Sequence, residues 1–324
     1  MTTTHSGRSG EAARGHQGFH GVVPIEAGMS TWRIYLALTK PRIIELLLVT
    51  AIPTMFLAAG GLPDLGVSIA VLVGGAAAAG AANTFNSVYD RDIDAVMQRT
   101  AHRPAAQGVV STRGALTQGF VLGAISFVVL WLGANLFAGV LGLVAIAFYA
   151  VGYTMILKRR TAQNIVWGGI AGCMPVLIAW AAVTGSLTWA PVVLFLIVFW
   201  WTPPHYWPLA MKYREEYRAA GIPMLPVIAS DQVVARQIIL YSIAMVATSI
   251  LLVPVAGMGL VYLIGSIVLG AFFLVLALRV RGAVSNSQVE GSDHVERAAM
   301  RLFHGSITYL ALLFLLVGLD PFVP

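Results

Sequence analysis

Long apolar runs alternate with short polar clusters along almost the whole chain, and the runs set the architecture. Nine of them, at about 43–59, 65–88, 116–132, 136–157, 165–184, 190–211, 238–256, 260–278 and 302–319, are expected to cross a bilayer as helices. A helix needs roughly 18 or more mainly apolar residues to span the hydrocarbon layer, where each backbone group must be satisfied within its own segment. The turns between them carry chain breakers: Gly60-Gly61-Leu62-Pro63-Asp64, Gly133-Ala134-Asn135, Gly185-Ser186-Leu187-Thr188 and Gly257-Met258-Gly259. The sixth run is unusual in holding Pro203-Pro204 in its interior. The pattern therefore predicts an all-α membrane protein.

Composition agrees with the pattern. The chain is 58% hydrophobic and 10% charged, with a mean hydropathy of +0.81, whereas soluble domains carry roughly a quarter charged residues. Charge then tests the number of spans. All 20 Lys and Arg fall in the N-terminal segment and in the connections after even-numbered spans. The odd-numbered connections and the C-terminus hold only Asp64 and Asp320. By the positive-inside rule the N-terminus is cytoplasmic and the C-terminus outside. Residues 1–30, Gly-rich and polar with Arg8, Arg14 and His16, read as a disordered cytoplasmic tail ahead of one membrane domain, 31–324. Cys173, the one cysteine, lies inside an apolar run and reads as a small buried residue.

The second run ends in a polar sequence, Asn83-Thr84-Phe85-Asn86-Ser87-Val88-Tyr89-Asp90-Arg91-Asp92-Ile93-Asp94. Asn86, Asp90 and Asp94 recur every four residues, so on a helix they drift by about 40° per step and share one face over about 12 Å. An amide and two carboxylates form a hard oxygen set suited to Mg2+, which takes one or two carboxylates and fills its shell with water and substrate phosphates. Arg99 and Arg103 follow one and two turns later, placed to clamp phosphate oxygens. Arg91 and Asp92 read as ordinary interfacial charges. Asn83 and Asn86, by contrast, are costly inside an apolar helix, and such polar groups are usually functional.

This stretch, with Met97, Arg99, Thr100, Arg103 and Pro104 after it, resembles the Asn-x-x-x-Asp-x-x-x-Asp motif of the UbiA-type intramembrane prenyltransferases. Leu38-Thr39-Lys40-Pro41-Arg42, Tyr153 to Thr161, Asn164 to Gly169, Trp201-Thr202-Pro203-Pro204-His205-Tyr206-Trp207 and Ala220 to Pro226 are similar to the haem-farnesylating branch of that family, and the resemblance covers about residues 32–310. It implies nine helices around a lipid-open cavity with a cytoplasmic cap. It further implies a reaction in which farnesyl diphosphate and haem b give haem O, with Mg2+ as cofactor, in a bacterial inner membrane. The next enzyme of haem A synthesis or a terminal oxidase would be the protein partners, beside membrane lipid; no nucleic acid is expected.

Relatives in the family carry a second, aspartate-rich motif four spans later. Here that place reads Lys212-Tyr213-Arg214-Glu215-Glu216-Tyr217-Arg218, without aspartates. Glu216 could hold metal, pair with Lys212 or be solvated. Lys212, Arg214 and Arg218 could contact diphosphate or form a surface salt-bridge face. Lys158, with Arg159 and Arg160, fits either a topology anchor or a contact for diphosphate or haem propionates. His205 is expected at the haem, because imidazole is a common axial ligand; the plainer alternative is a neutral histidine bonded within the bundle. His102 and His304 are weaker candidates at the rim. A quinone-ring prenyltransferase would share the first acidic motif but has no reason to share the Trp-Thr-Pro-Pro-His segment. A transporter, the rival from another class, would place ionisable groups near the midplane of several helices, and these spans are almost free of charge.

Overall fold

The computed structural model describes residues 30–323, apart from the side chains at 42–47, 289 and 290. Among the described residues every regular element is helical. In order these are α1 (Thr31–Leu38), α2 (Pro41–Ala59), α3 (Leu65–Tyr89), α4 (Arg91–Val96), α5 (Thr112–Gly133) and α6 (Leu136–Ala147). A π-helical stretch, Phe148–Leu157, continues α6. Then come α7 (Asn164–Thr184), α8 (Trp189–Lys212), α9 (Arg214–Ala219), α10 (Leu225–Ile228), α11 (Asp231–Ala256), α12 (Leu260–Ser285), α13 (Ser287–Glu290) and α14 (Ser292–Leu319). Apart from Ser30, the expected N-terminal tail lies outside the described residues.

The long helices close into a ring. Each packs on the next in chain order, α2 on α3, α3 on α5, α5 on α6, α6 on α7 and so on to α12 on α14, and α14 returns to α2. Cross-contacts of α7 with α2 and of α14 with α8 join the two sides of the ring. Among the described residues seven helical segments are long and apolar enough to cross a membrane. The first and sixth expected spans fall in α2, whose Leu48–Ala59 is a shorter apolar stretch, and in α8, whose C-terminal half is diluted by Trp, Pro and His. Helices α3, α11, α12 and α14 extend past the apolar runs read from sequence. Hydropathy sees only the part of a helix in hydrocarbon, whereas the hydrogen-bonded helix runs on into the polar rim.

Local signals explain the turns at the end opposite the basic segments. Asp64 accepts from the Val67 N–H at 2.9 Å to cap α3, and Gly60 closes α2 with a φ of 63°. Asn135 caps α6 through Ala138 N–H at 2.9 Å while its amide donates to Ala181 O at 2.8 Å, pinning this turn to α7.

Apolar burial cannot drive helices together in lipid, so close packing and hydrogen bonds must hold the ring. Tyr309 and Tyr262 are fully buried, yet their hydroxyls meet Ser249 Oγ and Ser249 O, each at 2.9 Å. Cys173 is buried and donates to Gly169 O at 3.1 Å, as the sequence suggested. The α3–α5 pair depends on small residues. A Cβ placed on Gly133 would lie 2.5 Å from Ala70 Cβ, and one on Gly119 would lie 2.6 Å from the Phe85 ring. Ala70 has no torsion with which to move aside. Gly133→Ala should therefore lose about 1–3 kcal/mol of stability through overpacking. A lowered thermal transition in detergent is the expected result, and an unchanged one would show that α5 shifts freely.

Candidate active site

The polar site is built where α3 gives way to α4. Helix α3 ends at Tyr89 and Asp90 takes φ −87° and ψ 13°, yet Asp90 N–H still donates to Asn86 O at 2.9 Å and Asp94 N–H to Asp90 O at 2.8 Å. The i to i+4 spacing thus passes through the junction, and Asn86, Asp90 and Asp94 are brought together as expected. All three are buried, with relative exposures of 4%, 1% and 3%.

Buried carboxylates need partners, and cations supply them. Lys158 Nζ donates to Asp90 Oδ2 at 2.5 Å, and Arg103 spans both oxygens of Asp94 at 2.9 Å. Asn86 Nδ2 donates to Asp90 Oδ2 at 2.7 Å and to Thr154 Oγ1 at 3.1 Å. Asn86 Oδ1 in turn accepts from Lys40 Nζ at 2.6 Å. Burial pulls the Lys40 ammonium down to about 7; Arg103 and Lys158 add repulsion, which Asp94 and Asp90 oppose. Lys40 also holds a φ of 53°, a left-handed conformation that costs of order 1 kcal/mol or more in a residue other than glycine and is found mainly at functional sites.

Neighbouring charges serve the framework. Arg159 binds Asp92 bidentately at 2.7 Å and holds that carboxyl below its ordinary range. Arg91 reaches Thr112 Oγ1 and Val110 O at 3.4 Å, so Arg91 and Asp92 both bond within the framework and neither lines the cavity.

The π-helical turn aims the opposite wall. Lys158 N–H donates to Tyr153 O at 2.8 Å, an i to i−5 bond, and Thr154 Oγ1 donates to Tyr149 O at 2.8 Å. Widened by one residue per turn, this stretch turns Tyr149, Tyr153 and Lys158 to a common cavity. Two glycines of α7 make room for it. A Cβ on Gly168 would lie 2.4 Å from the Tyr153 ring, and one on Gly169 would lie 3.1 Å from Thr202.

The cavity measures about 360 Å³. Its polar end is formed by Lys40, Asn86, Asp94, Arg99, Arg103 and Lys158. Its deeper wall is Ile165, Gly172, Val198, Trp201 and Leu310. A second space of about 200 Å³ adjoins it at Tyr149, Gly168 and Gly172, and is lined almost wholly by apolar residues such as Ala78, Ala82, Val71 and Met174. A charged mouth thus opens onto an apolar chamber.

The other expected residues divide. Arg99 stands at the mouth, its NH2 donating to Tyr217 OH at 3.4 Å and its backbone N–H to Glu216 Oε2 at 3.3 Å. Glu216 therefore ties the loop after α4 to α9, and it does not line the cavity. Lys212 and Arg214 are not brought to the cavity either. Lys212 pairs with Glu296 at 2.9 Å and Arg214 pairs with Asp231, because each finds a carboxylate on an adjoining helix. Arg218 pairs with Glu215 at the surface. His205 lies stacked between Trp201, at 4.1 Å, and Phe303, at 4.8 Å. Its Nδ1 is 2.6 Å from Ser306 Oγ, and that hydroxyl donates to Phe303 O. The imidazole must therefore donate at Nδ1, which leaves Nε2 with its lone pair. Trp201 lines the cavity and His205 does not.

Sequence reasoning assigned no role to Lys40, Thr154, Tyr149, Tyr153, Tyr206 or Tyr217. Lys40 had a signal, since it precedes Pro41 at the start of the first span. Tyr206 and Tyr217 share a 2.7 Å hydroxyl–hydroxyl bond, and burial pushes the Tyr217 phenol above its ordinary range so that it stays neutral.

The oxygen set fits a divalent cation. Asn86 and Asp94 line the cavity and Asp90 does not; Asp90 Oδ1 is buried without a hydrogen bond and has Arg159 NH2 beside it at 3.7 Å. Among the described residues no three acidic, His or Cys side chains converge on one point. Two carboxylates and an amide nevertheless suffice for an ion whose remaining ligands are phosphates and water.

An all-helical ring whose charged mouth opens onto an apolar chamber has the layout of a membrane enzyme with room for a charged head and an apolar tail. The family model described as the UbiA prenyltransferase family matches residues 47–290, and the chain belongs to that family. It is 55% identical over 292 residues to the protoheme IX farnesyltransferase of Paenarthrobacter aurescens (strain TC1), covering 90% of each chain. It is 54% identical to the protoheme IX farnesyltransferase of Kineococcus radiotolerans, with 89% and 88% covered. Among solved structures it is similar in fold to a digeranylgeranylglyceryl phosphate synthase, with a TM-score of 0.71 at 16% identity over 90% of this chain and 99% of that one. A UbiA homolog from Archaeoglobus fulgidus bound to DMAPP and Mg2+ gives a TM-score of 0.60 at 18% identity, with 86% and 98% covered.

Lys40→Met tests the added site residue. It removes a donor aimed at the mouth and should lower the prenyl-transfer rate about 10²-fold, the scale seen when one electrostatic stabiliser is lost. Helical circular dichroism should be unchanged. A wild-type rate would remove Lys40 from the site.

Proposed function

We infer that the protein transfers the farnesyl group of farnesyl diphosphate to a vinyl group of haem b, with addition of water, to give haem O. The observation that carries this reading is the buried Asn86–Asp90–Asp94 set, ringed by Lys40, Lys158 and Arg103 at the mouth of an apolar chamber. The acceptor follows from the relatives, named for protoheme IX, at 55% identity over 90% of the chain.

The chemistry follows from the layout. Asn86, Asp90 and Asp94 are the residues to hold Mg2+, which when bound supplies positive charge to the leaving diphosphate. Lys158, Arg103, Arg99 and Lys40 stand in the same cluster to contact phosphate oxygens, and charge-assisted contacts of this kind strengthen as the allylic C–O bond breaks. The electron pair of that bond leaves with the diphosphate. The vinyl π electrons then form the new carbon–carbon bond to the farnesyl C1, and water adds at the inner vinyl carbon with loss of a proton. Tyr149 and Tyr153 hold the boundary between mouth and chamber, and the apolar lining of Val71, Ala78, Ala82 and Met174 takes the isoprenoid chain and limits early quenching by water. Glu216 supports the loop that carries Arg99. Lys212 and Arg214 could join the diphosphate only by leaving Glu296 and Asp231.

His205 is assigned to the haem side. The free Nε2 lone pair suits iron ligation, and the ring lies next to Trp201, itself a wall of the cavity. The catalytic unit is read as one domain, 31–324, of nine spans in a bacterial inner membrane, with the N-terminus and the active mouth cytoplasmic and the C-terminus outside. A haem A synthase or an assembling terminal oxidase would receive the product.

Purified enzyme incubated with haem b, farnesyl diphosphate and Mg2+ should give haem O by mass. Unchanged haem beside a prenylated aromatic acid would overturn the acceptor. Asp90→Ala and Asp94→Ala should each abolish product while the protein still inserts, and activity retained in both would remove the metal assignment. His205→Gln should weaken haem binding and shift its Soret band without altering farnesyl diphosphate affinity. A wild-type haem spectrum would make His205 a packing residue.

A further inference from the structure

The charged mouth does not account for a second basic concentration at the same end of the ring. Where α12 and α14 reach the rim, a cavity of about 410 Å³ is lined by Arg279, Asn286, His294, Arg297 and Arg301, with Leu276 at its apolar side. Its walls are two facing helical rows. Residues 276, 279 and 283 follow the i, i+3, i+7 spacing on α12, with Asn286 just past its end, and 294, 297 or 298, and 301 follow it on α14. Among the described residues none of Arg279, Arg297 and Arg301 has an ion-pair partner. A neighbouring carboxylate on α14, Glu296, is held by Lys212 at 2.9 Å. The space above Gly282 is open, since a Cβ there would meet nothing within 4 Å.

We propose that this cavity binds the phosphate of an anionic phospholipid headgroup from the cytoplasmic leaflet. The charge alone would suit any phosphate. The surface below it selects a lipid: Phe272, Val275 and Val268 on α12 and Leu312 and Leu315 on α14 are exposed along the same helices, placing acyl chains under the arginines. A topology signal would require only that the arginines lie on this side; here three of them converge on one cavity between two membrane helices. Pockets of this kind on the cytoplasmic side are the expected seats of acidic headgroups, each arginine contributing roughly 1 kcal/mol near the surface.

The test uses the full chain purified in neutral detergent and titrated with dioleoylphosphatidylglycerol or dioleoylphosphatidylcholine, with bound lipid counted by native mass spectrometry. Wild type should prefer phosphatidylglycerol, and Arg297→Gln/Arg301→Gln should weaken that binding about 30-fold, roughly 2 kcal/mol at 1.4 kcal/mol per tenfold. Arg33→Gln/Arg113→Gln, with the same charge change elsewhere on this face, should leave it unchanged. Gly282→Leu keeps every charge and should reduce binding by filling the cavity, which covers the case in which the double arginine variant fails to fold. Undiminished phosphatidylglycerol binding in Arg297→Gln/Arg301→Gln or in Gly282→Leu would overturn the proposal. So would equal loss in the Arg33/Arg113 variant, absence of preference over phosphatidylcholine, or displacement by inorganic phosphate at the lipid's own concentration, which would mark a free-phosphate site. A bound acidic protein in place of lipid would overturn it as well.

Discussion

Two aspartates buried at the end of a membrane helix are the constraint on which the rest of this structure turns. Carboxylates buried this deeply need partners, and Lys158 and Arg103 are brought from distant or folded-back segments to supply them. Buried ion pairs of this kind seldom stabilise a fold, because the desolvation of both partners offsets their attraction. In the proposed reading the carboxylates are kept for the divalent ion and the cations for the diphosphate.

The surrounding architecture serves that cluster. The π-helical turn after α6 rotates Tyr149, Tyr153 and Lys158 to one cavity, and Gly168 and Gly169 let α7 approach closely enough to form its wall. Beyond the tyrosines the lining changes from charged to apolar. The His205 ring, sandwiched by Trp201 and Phe303 and oriented by Ser306, shows how a polar group can be held rigidly within the bundle with one nitrogen unspent. Small residues on α3 and α5 keep the ring closed where hydrophobic burial gives no net attraction.

Solved structures at 16–20% identity share the ring, so the fold alone does not select a substrate. Selection belongs to side chains, and here the family pattern and the geometry differ instructively. The second rim segment, from Lys212 to Arg218, offered several charges as equal candidates for the diphosphate. The structure separates them by partner: Lys212 to Glu296, Arg214 to Asp231, Arg218 to Glu215, and Glu216 to the Arg99 backbone. None of those partners is near in sequence except Glu215, so no local reading could have assigned them.

What the sequence determined by itself were the features set by local chemistry and by the bilayer. Apolar runs long enough to cross hydrocarbon, glycine and proline turns, the one-sided distribution of Lys and Arg, and the four-residue spacing of Asn86, Asp90 and Asp94 all follow from interactions within a few residues or with the solvent. Only the tertiary structure decided which cation meets which carboxylate, that Lys40 and Thr154 belong with Asn86, that a π turn aims Lys158, and that His205 stands behind Trp201. Each of these is a contact between helices distant in the chain. Its geometry depends on how closely the helices pack and how each is rotated about its axis, and hydropathy carries no trace of either.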